Sequence, residues 1–230
     1  LVSIFFSKIK SAKSILWVLD LWPNILLELS IIKNKFLYKF LEYIVRKIYL
    51  SNDIILAQSK TFIKIINQQI YPKKKKIFYF PAWPENLGRS KTNFIVESET
   101  SKKRLNNEKI NIVFTGNVGE AQNFDNIFNA AKITKNNKKI NWTIVGTGRK
   151  LEEIKIKVLK DKIENFKFVD HVPKNEIKQF HDLADILLIS LSEGEGLSGT
   201  IPGKLQTYLN SKKFILGLIG GESKKIIEET

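Results

Sequence analysis

Cysteine and methionine are absent from the 230 residues, and histidine occurs only twice. The missing thiols exclude disulfides, thiolate metal sites and a cysteine nucleophile together; a reducing compartment fits this absence without being required by it. His171 and His181 stand at a spacing that matches no common zinc signature, so no protein-bound metal and no cofactor is expected. No apolar run approaches the length of a bilayer crossing. Leu1–Phe6 is apolar, but Lys8, Lys10 and Lys13 break the run soon after, leaving it too short for a spanning helix or a secretory signal. A Walker loop is missing, as is a GxGxxG turn after a strand, which removes the main support for ATP and nicotinamide chemistry.

Hydrophobic residues at 43% and charged residues at 27% are ordinary for soluble globular chains, and the length suits two modest domains. The net charge of +15 and pI near 9.7 would point to an anionic partner: nucleic acid, phospholipid or a phosphorylated ligand. Lysine, isoleucine and asparagine are abundant everywhere, however, as a biased codon composition produces. The charge is therefore read as local patches. With Leu1 at its start, and a Gly220-Gly221 turn and the helix-like Ser223–Glu228 at its end, the chain reads as a fragment lacking both ends.

Buried strands alternate with helices along the chain. Ser14–Asp20 is a short apolar run ending in an acid, then Leu21-Trp22-Pro23. From Ile31 to Leu50, Phe36, Leu37, Phe40, Leu41, Ile44, Val45 and Ile48 recur at helical spacing among lysines, a basic amphipathic helix. Strand Asp53–Ser59, helix Lys60–Gln69 and strand Lys76–Pro81 come next, and a polar, weakly periodic linker occupies about 85–107. The pattern then restarts with strands at Ile110–Thr115, Asn141–Val145, Phe166–Val169, Ile186–Ser190 and Phe214–Leu218. Between them lie helices at Asn123–Ile133, Lys150–Leu159, Lys174–Leu183 and Gly203–Asn210. This alternation predicts α/β architecture with doubly wound parallel sheets, in an N-terminal domain over 1–107 that is incomplete and a C-terminal domain over 108–230 that is truncated.

Ligands of such sheets bind beyond the carboxyl ends of the strands. Three loops qualify there: Gly116-Asn117-Val118-Gly119, Gly146-Thr147-Gly148-Arg149, and Ser192 to Lys204. Glycines let the backbone approach a ligand, and helix starts offer free amides to an anion. Each glycine turn taken alone also reads as plain turn chemistry. Arg149 beside its turn can grip a phosphate with two hydrogen bonds, or simply be solvated. The third loop is long, and its glycine-rich course into a helix start makes it an anion seat.

Several segments now line up with a known family. Asp20-Leu-Trp-Pro23 looks like a DLWP element, Phe114-Thr-Gly-Asn-Val-Gly119 with Ala121-Gln122 like a G-N-x-G-x-A-Q element, and Ile144–Arg149 like a V-G-x-G stretch. Val172-Pro173 and Ala184-Asp185 match smaller landmarks, and Thr200–Tyr208 resembles T-I-P-x-K-x-x-x-Y. In this order the chain resembles the retaining glycosyltransferases of family 4, among them bacterial surface-polysaccharide and N-acetyl-fucosamine transferases. The resemblance implies a GT-B fold of two Rossmann-like domains, with a nucleotide-sugar donor on the C-terminal one, an acceptor on the N-terminal one, and no metal. It further implies transfer to a lipid-linked saccharide with retention of configuration, in cell-surface polysaccharide synthesis. The expected location is cytoplasmic, on the inner face of the cytoplasmic membrane.

Carried over by position, Ser198, Gly199, Thr200, Ile201, Pro202 and Lys204 would hold the diphosphate and sugar. Gly116, Asn117, Gly119 and Gln122 would close the other side, with Gly146 and Arg149 beside them. Two departures stand out. The wider family has glutamates where Gly199 and Thr207 stand, the second gripping the ribose, although the T-I-P-x-K subgroup commonly lacks the pair. The family's arginine and lysine after the first donor-domain strand are replaced by Asn117 and Gln122, which leaves Arg149 and Lys204 as the phosphate cations. Leu19 replaces a common histidine, leaving Asp20 as the catalytic candidate. It either positions the acceptor or acts as a base, or it caps the next loop.

Lipid-linked acceptors would give the basic Ile31–Leu50 helix, and the Lys73–Lys76 cluster, a reason to meet anionic membrane; the alternative is a core-packed helix with a solvated lysine face. A nucleic-acid-binding protein is the rival class, but no recognition helix, zinc finger or RNP pattern organises the charge. A sugar-nucleotide epimerase or a non-catalytic partner on the same fold is a third reading.

Overall fold

The structure, a computed structural model, describes residues 2–85 and 109–230. The expected linker, past Glu85, lies outside the described residues. The elements run in the order α1 (Val2–Ile9), β1 (Ile15–Val18), α2 (Asn24–Glu28), α3 (Lys35–Ser51), β2 (Ile54–Ala57), α4 (Lys60–Ile70) and β3 (Lys76–Tyr79). Next come β4 (Ile110–Thr115), α5 (Phe124–Ile133), β5 (Ile140–Val145), α6 (Leu151–Lys160), β6 (Phe166–Val169), α7 (Ile177–Leu183) and β7 (Ile186–Ser190). The last are α8 (Glu195–Ser198), α9 (Gly203–Asn210), β8 (Phe214–Leu218) and α10 (Gly221–Glu228), with 3-10 turns at Glu120–Gln122 and Lys174–Glu176.

Two compact units result, and they are not consecutive halves. One comprises Leu1–Trp83, Glu193–Pro202 and Gly220–Thr230; the other comprises Pro84–Ser192 and Gly203–Ile219.

The first unit is built on a parallel sheet in the order β1-β2-β3, with Val18 opposite Ala57 and Ala57 opposite Tyr79. Helix α4 covers it with Phe62, Ile65, Ile66 and Ile70, an apolar face at helical spacing that packs with Val18, Leu21, Tyr49 and Ile55. Ser59 opens α4, its hydroxyl accepting the Phe62 N–H at 3.1 Å. The Glu222 carboxylate of α10 adds the N–H groups of Lys60 (3.2 Å) and Thr61 (2.9 Å), a favourable place for negative charge. Likewise Glu28 accepts the N–H groups of Gly196 (2.5 Å) and Leu197 (3.2 Å), which fastens the 193–202 segment to α2.

The amphipathic helix expected from Ile31 starts later, because Asn34 caps it, accepting the Phe36 N–H at 2.8 Å. Its second half reaches the core, through buried Tyr49 with Val45 and Leu50 packed beside it. Helix α1 and the short helices α2 and α8 were not expected from the sequence.

The second unit carries five parallel strands in the order β6-β5-β4-β7-β8. Numbered within the unit, that is 3-2-1-4-5, so the winding reverses between β4 and β7. Phe124, Ile127, Phe128 and Ala131 of α5, with Leu151, Ile154 and Val158 of α6, pack onto Ile112, Phe114, Trp142, Ile144 and Phe166 of the strands. The doubly wound expectation is met here, strand by strand.

Candidate functional site

The reversal between β4 and β7 opens the sheet's carboxyl edge. The two strands pair only at Ile112–Ile186 and Val113–Leu187, whereas β4 keeps pairing with β5 as far as Thr115–Val145. Beyond Val113 the strands part, and the gap between them is where a crevice forms in sheets of this winding.

Two glycine turns border the gap on the β5 side. Gly146 has φ +141°, and a Cβ there would lie 2.0 Å from the Gly116 carbonyl oxygen, so the turns interlock only because residue 146 has no side chain. Val118 completes the interlock: its N–H donates to Thr147 O at 2.8 Å, and its carbonyl accepts the Lys150 N–H at 3.0 Å. Gly146→Ala is therefore expected to cost about 3 kcal/mol of stability, while Gly203→Ala, where a Cβ meets nothing within 4 Å, stays within about 0.5 kcal/mol; urea melts compare them.

The turns hold one another at the expense of their anion-binding capacity. Gly116 N–H donates to Val145 O (2.9 Å), Val118 N–H to Thr147 O, and Gly119 N–H to Gln122 Oε1 (3.1 Å). These amides are occupied. Gln122 Oε1 also accepts from the exposed Asn117 at 3.4 Å, so Gln122 shapes the loop. Ser192 steadies the same turn, its N–H donating to Ala121 O at 2.6 Å and its hydroxyl to Glu120 O at 3.1 Å.

Positive charge enters from α9. Lys204 is part-exposed along its stem, but its Nζ is buried without a hydrogen-bond partner among the described residues. It lies 3.9 Å from the Phe114 ring centroid and 2.9 Å from where a Gly116 Cβ would stand. Burial pushes this amine down to about 7, from an ordinary 10.5. A cation next to an aromatic face is favoured, yet a lone buried ammonium is costly, and an anion at the strand gap would relieve that cost.

Beneath Lys204 lies a buried polar cluster. Tyr208 Oη accepts the Thr115 N–H at 3.1 Å and stands 3.1 Å from Thr115 Oγ1, which is 3.0 Å from His181 Nε2. Burial is the main cause holding His181 down at about 4, so it is neutral near pH 7, and burial raises the Tyr208 hydroxyl. Ser190, at the end of β7, keeps a buried hydroxyl without a partner among the described residues.

Of the residues singled out in the sequence, Gly116, Asn117, Gly119, Gln122, Gly146 and Lys204 share this one neighbourhood. Arg149 is exposed at the start of α6, with no ion pair to it among the described residues. Thr207 is buried, and its hydroxyl accepts the Glu85 N–H at 3.2 Å.

Ser198, Gly199, Thr200, Ile201 and Pro202 belong to the first unit. There a Cβ on Gly199 would meet Thr61 Cγ2 at 2.8 Å, which leaves no room for a glutamate. The Thr200 hydroxyl donates to Gly196 O at 3.0 Å, and Ile201 is buried. Asp20 is exposed, with a carboxyl raised by partial desolvation, and no hydrogen bond joins it to a described residue; the first turn of α2 has no side-chain cap. The capping role considered for Asp20 is thus not realised. Phe114, Thr115, His181 and Tyr208 were not singled out as site residues; the four-residue step from Lys204 to Tyr208 on one helix is the signal that could have linked them. Among the described residues no group of three or more His, Cys, Asp or Glu could hold a metal ion.

Residues 96–200 match the family model for glycosyl transferases group 1. Over 98% of its length the chain is 25% identical to a probable glycosyltransferase, WbjE, of Pseudomonas aeruginosa, and it spans 57% of that relative. Among solved structures, the pneumococcal O-GlcNAc transferase GtfA in complex with UDP and GlcNAc superposes with a TM-score of 0.65 at 10% identity, covering 96% of this chain and 40% of that one. WaaG, a glycosyltransferase involved in lipopolysaccharide biosynthesis, gives 0.65 at 12% identity, covering 94% and 59%. At such identities the structures speak for the fold, which is that of GT-B enzymes. Over residues 96–200 the chain thus resembles the group 1 glycosyl transferases.

Proposed function

We propose that the protein moves a sugar from a nucleotide-diphosphate donor to a saccharide acceptor, with retention of configuration. The observation that carries this reading is the Lys204 amine, buried and without a partner among the described residues, beside the interlocked turns at the β4–β7 gap. A diphosphate supplies what that ammonium lacks.

In the transfer the bond from the anomeric carbon to the phosphate oxygen breaks, and the acceptor oxygen bonds to the same carbon. The acceptor proton leaves to a base. Negative charge grows on the departing diphosphate, and a cation already buried at that point stabilises it without reorganising. Lys204 is assigned that role, with Arg149 as a second, exposed cation and Asn117 as a neutral donor. Ser198–Pro202 are assigned to the sugar, Thr207 to donor shape, and Asp20 to the acceptor hydroxyl as positioning group or base. WaaG, which shares this fold and is involved in lipopolysaccharide biosynthesis, supports a place in surface polysaccharide synthesis.

A lipid-linked acceptor and contact with anionic lipid on the cytoplasmic face belong to the same proposal. Phe36, Leu37, Phe40 and Tyr43 of α3 are exposed among Lys33, Lys35, Lys39 and Lys47, the composition of an interfacial helix. Among the described residues no helix is long and apolar enough to cross a membrane.

Thermal shift with UDP-, GDP- and ADP-sugars, against single-stranded DNA, tests the reading. One nucleotide at about 100 times its Kd should add about 2.7 kcal/mol of stability. Salt-sensitive stabilisation by DNA, with none by any nucleotide sugar, would sink it. Donor binding without transfer to any acceptor would favour an epimerase or a non-catalytic partner.

A further inference from the structure

Tyr208 is wholly buried, yet its hydroxyl does something the hydrophobic core does not need. Gly116 N–H turns toward β5, so the preceding N–H, that of Thr115, faces the β7 side, where the ladder has already ended at Val113–Leu187. A buried amide there would be orphaned, and Tyr208 Oη takes it at 3.1 Å. Thr115 Oγ1 lies between the Tyr208 hydroxyl (3.1 Å) and His181 Nε2 (3.0 Å), so one buried hydrogen-bonded chain joins the three side chains.

Lys204 sits one turn before Tyr208, so both side chains leave α9 on the same face. The helix is pinned to the end of β4 at two adjacent points, by Tyr208 on Thr115 and by Lys204 against Phe114 and Gly116. A long amine on a loosened helix reaches for water. We propose that Tyr208 is a positioning residue, whose hydroxyl, by closing on the last amide of β4, keeps the Lys204 ammonium under the Gly116 turn. The inference rests on Lys204 being the diphosphate cation.

Tyr208→Phe removes the hydroxyl and keeps the ring. Two readouts apply to this variant: the rate at which acetic anhydride labels Lys204, followed by mass spectrometry, and the Kd of UDP, GDP and ADP by calorimetry. Labelling of Lys204 should quicken about 5-fold, and Kd for the preferred diphosphate should rise about 10-fold, the usual effect of one lost buried hydrogen bond. A lower Tm with both quantities within 2-fold of the parent protein would overturn the proposal, leaving Tyr208 a merely structural residue. Should the parent bind no nucleoside diphosphate, the donor reading fails by itself, and the labelling rate alone decides whether Tyr208 positions Lys204. If Tyr208→Phe does not fold, Thr115→Val, which removes the hydroxyl between Tyr208 and His181, is expected to shift labelling in the same direction by about 3-fold; an unchanged rate contradicts the proposal.

Discussion

Replacing Lys204 by methionine is expected to raise the melting temperature of the unliganded protein and to cost it most of its nucleotide affinity. Methionine matches the lysine stem in length and adapts to the same apolar slot over Phe114, but it brings no charge to desolvate. The amine now held at about 7 carries a burial cost of several kcal/mol in order of magnitude, of which about 2–4 kcal/mol should be recovered as stability. The loss on the other side is of similar size. Hydrogen bonds to a charged group contribute about 1.5–3 kcal/mol, so affinity for a nucleoside diphosphate should fall about 10- to 100-fold. Lys138→Met, on an exposed turn, should change neither quantity. A Lys204→Met variant that is less stable and binds as before would place the ammonium in a structural role.

The unliganded protein should gain stability with rising pH in two separate ramps. Between about 4 and 6.5 the unfolded chain protonates its histidine while buried His181 stays neutral. The unfolded state thus holds the extra proton, and the linkage slope is positive, near 1.4 kcal/mol per pH unit. Stability from this source is complete above pH 6.5, and about 3 kcal/mol of it is lost as pH falls to 4. Lys204 repeats the argument between about 7 and 10.5, where again only the unfolded chain keeps the proton. The groups around the pair are Asp182 and Lys178 near His181 on α7, Tyr208 on α9 and uncharged Thr115 on β4; Asp182 opposes the histidine shift and Lys178 and Lys204 reinforce it. Urea melts from pH 4 to 10 should show the lower ramp flattened in His181→Gln and the upper one flattened in Lys204→Met. Two unaltered ramps would contradict the burial of both groups.

Much of this was legible in the residues. Strands β4, β6, β7 and β8 and helix α9 lie where apolar runs and glycine boundaries put them; central β4 and β7 are mostly buried and read as continuous apolar runs, whereas β8 at the sheet edge is largely exposed. Gly116, Gly146 and Lys204 were legible as loop chemistry at strand ends. What stayed hidden depends on long-range pairing. That Thr115 loses its ladder partner, and so needs Tyr208, is decided by where β7 leaves β4, seventy residues on in round terms and beyond any local pattern. His181 reads as a lone helical histidine until Thr115 is placed beside it. The Gly116 and Gly119 amides looked free for an anion, and only the pairing with β5 and with Gln122 shows them occupied. Glu28 and Glu222 gave no signal as helix-start anions, since their partners are more than a hundred residues away.

Calorimetric titration of the nucleoside diphosphate at pH 8, repeated in two buffers of different ionisation enthalpy, tests the seat most directly. At that pH the terminal phosphate has already lost its proton, because its last ionisation lies near 6, and Lys204 is mostly neutral in the empty protein. Binding should then draw close to one proton from the buffer per site, and Lys204→Met should draw none. Tight binding with no proton uptake by the parent protein would show that the diphosphate is held without Lys204.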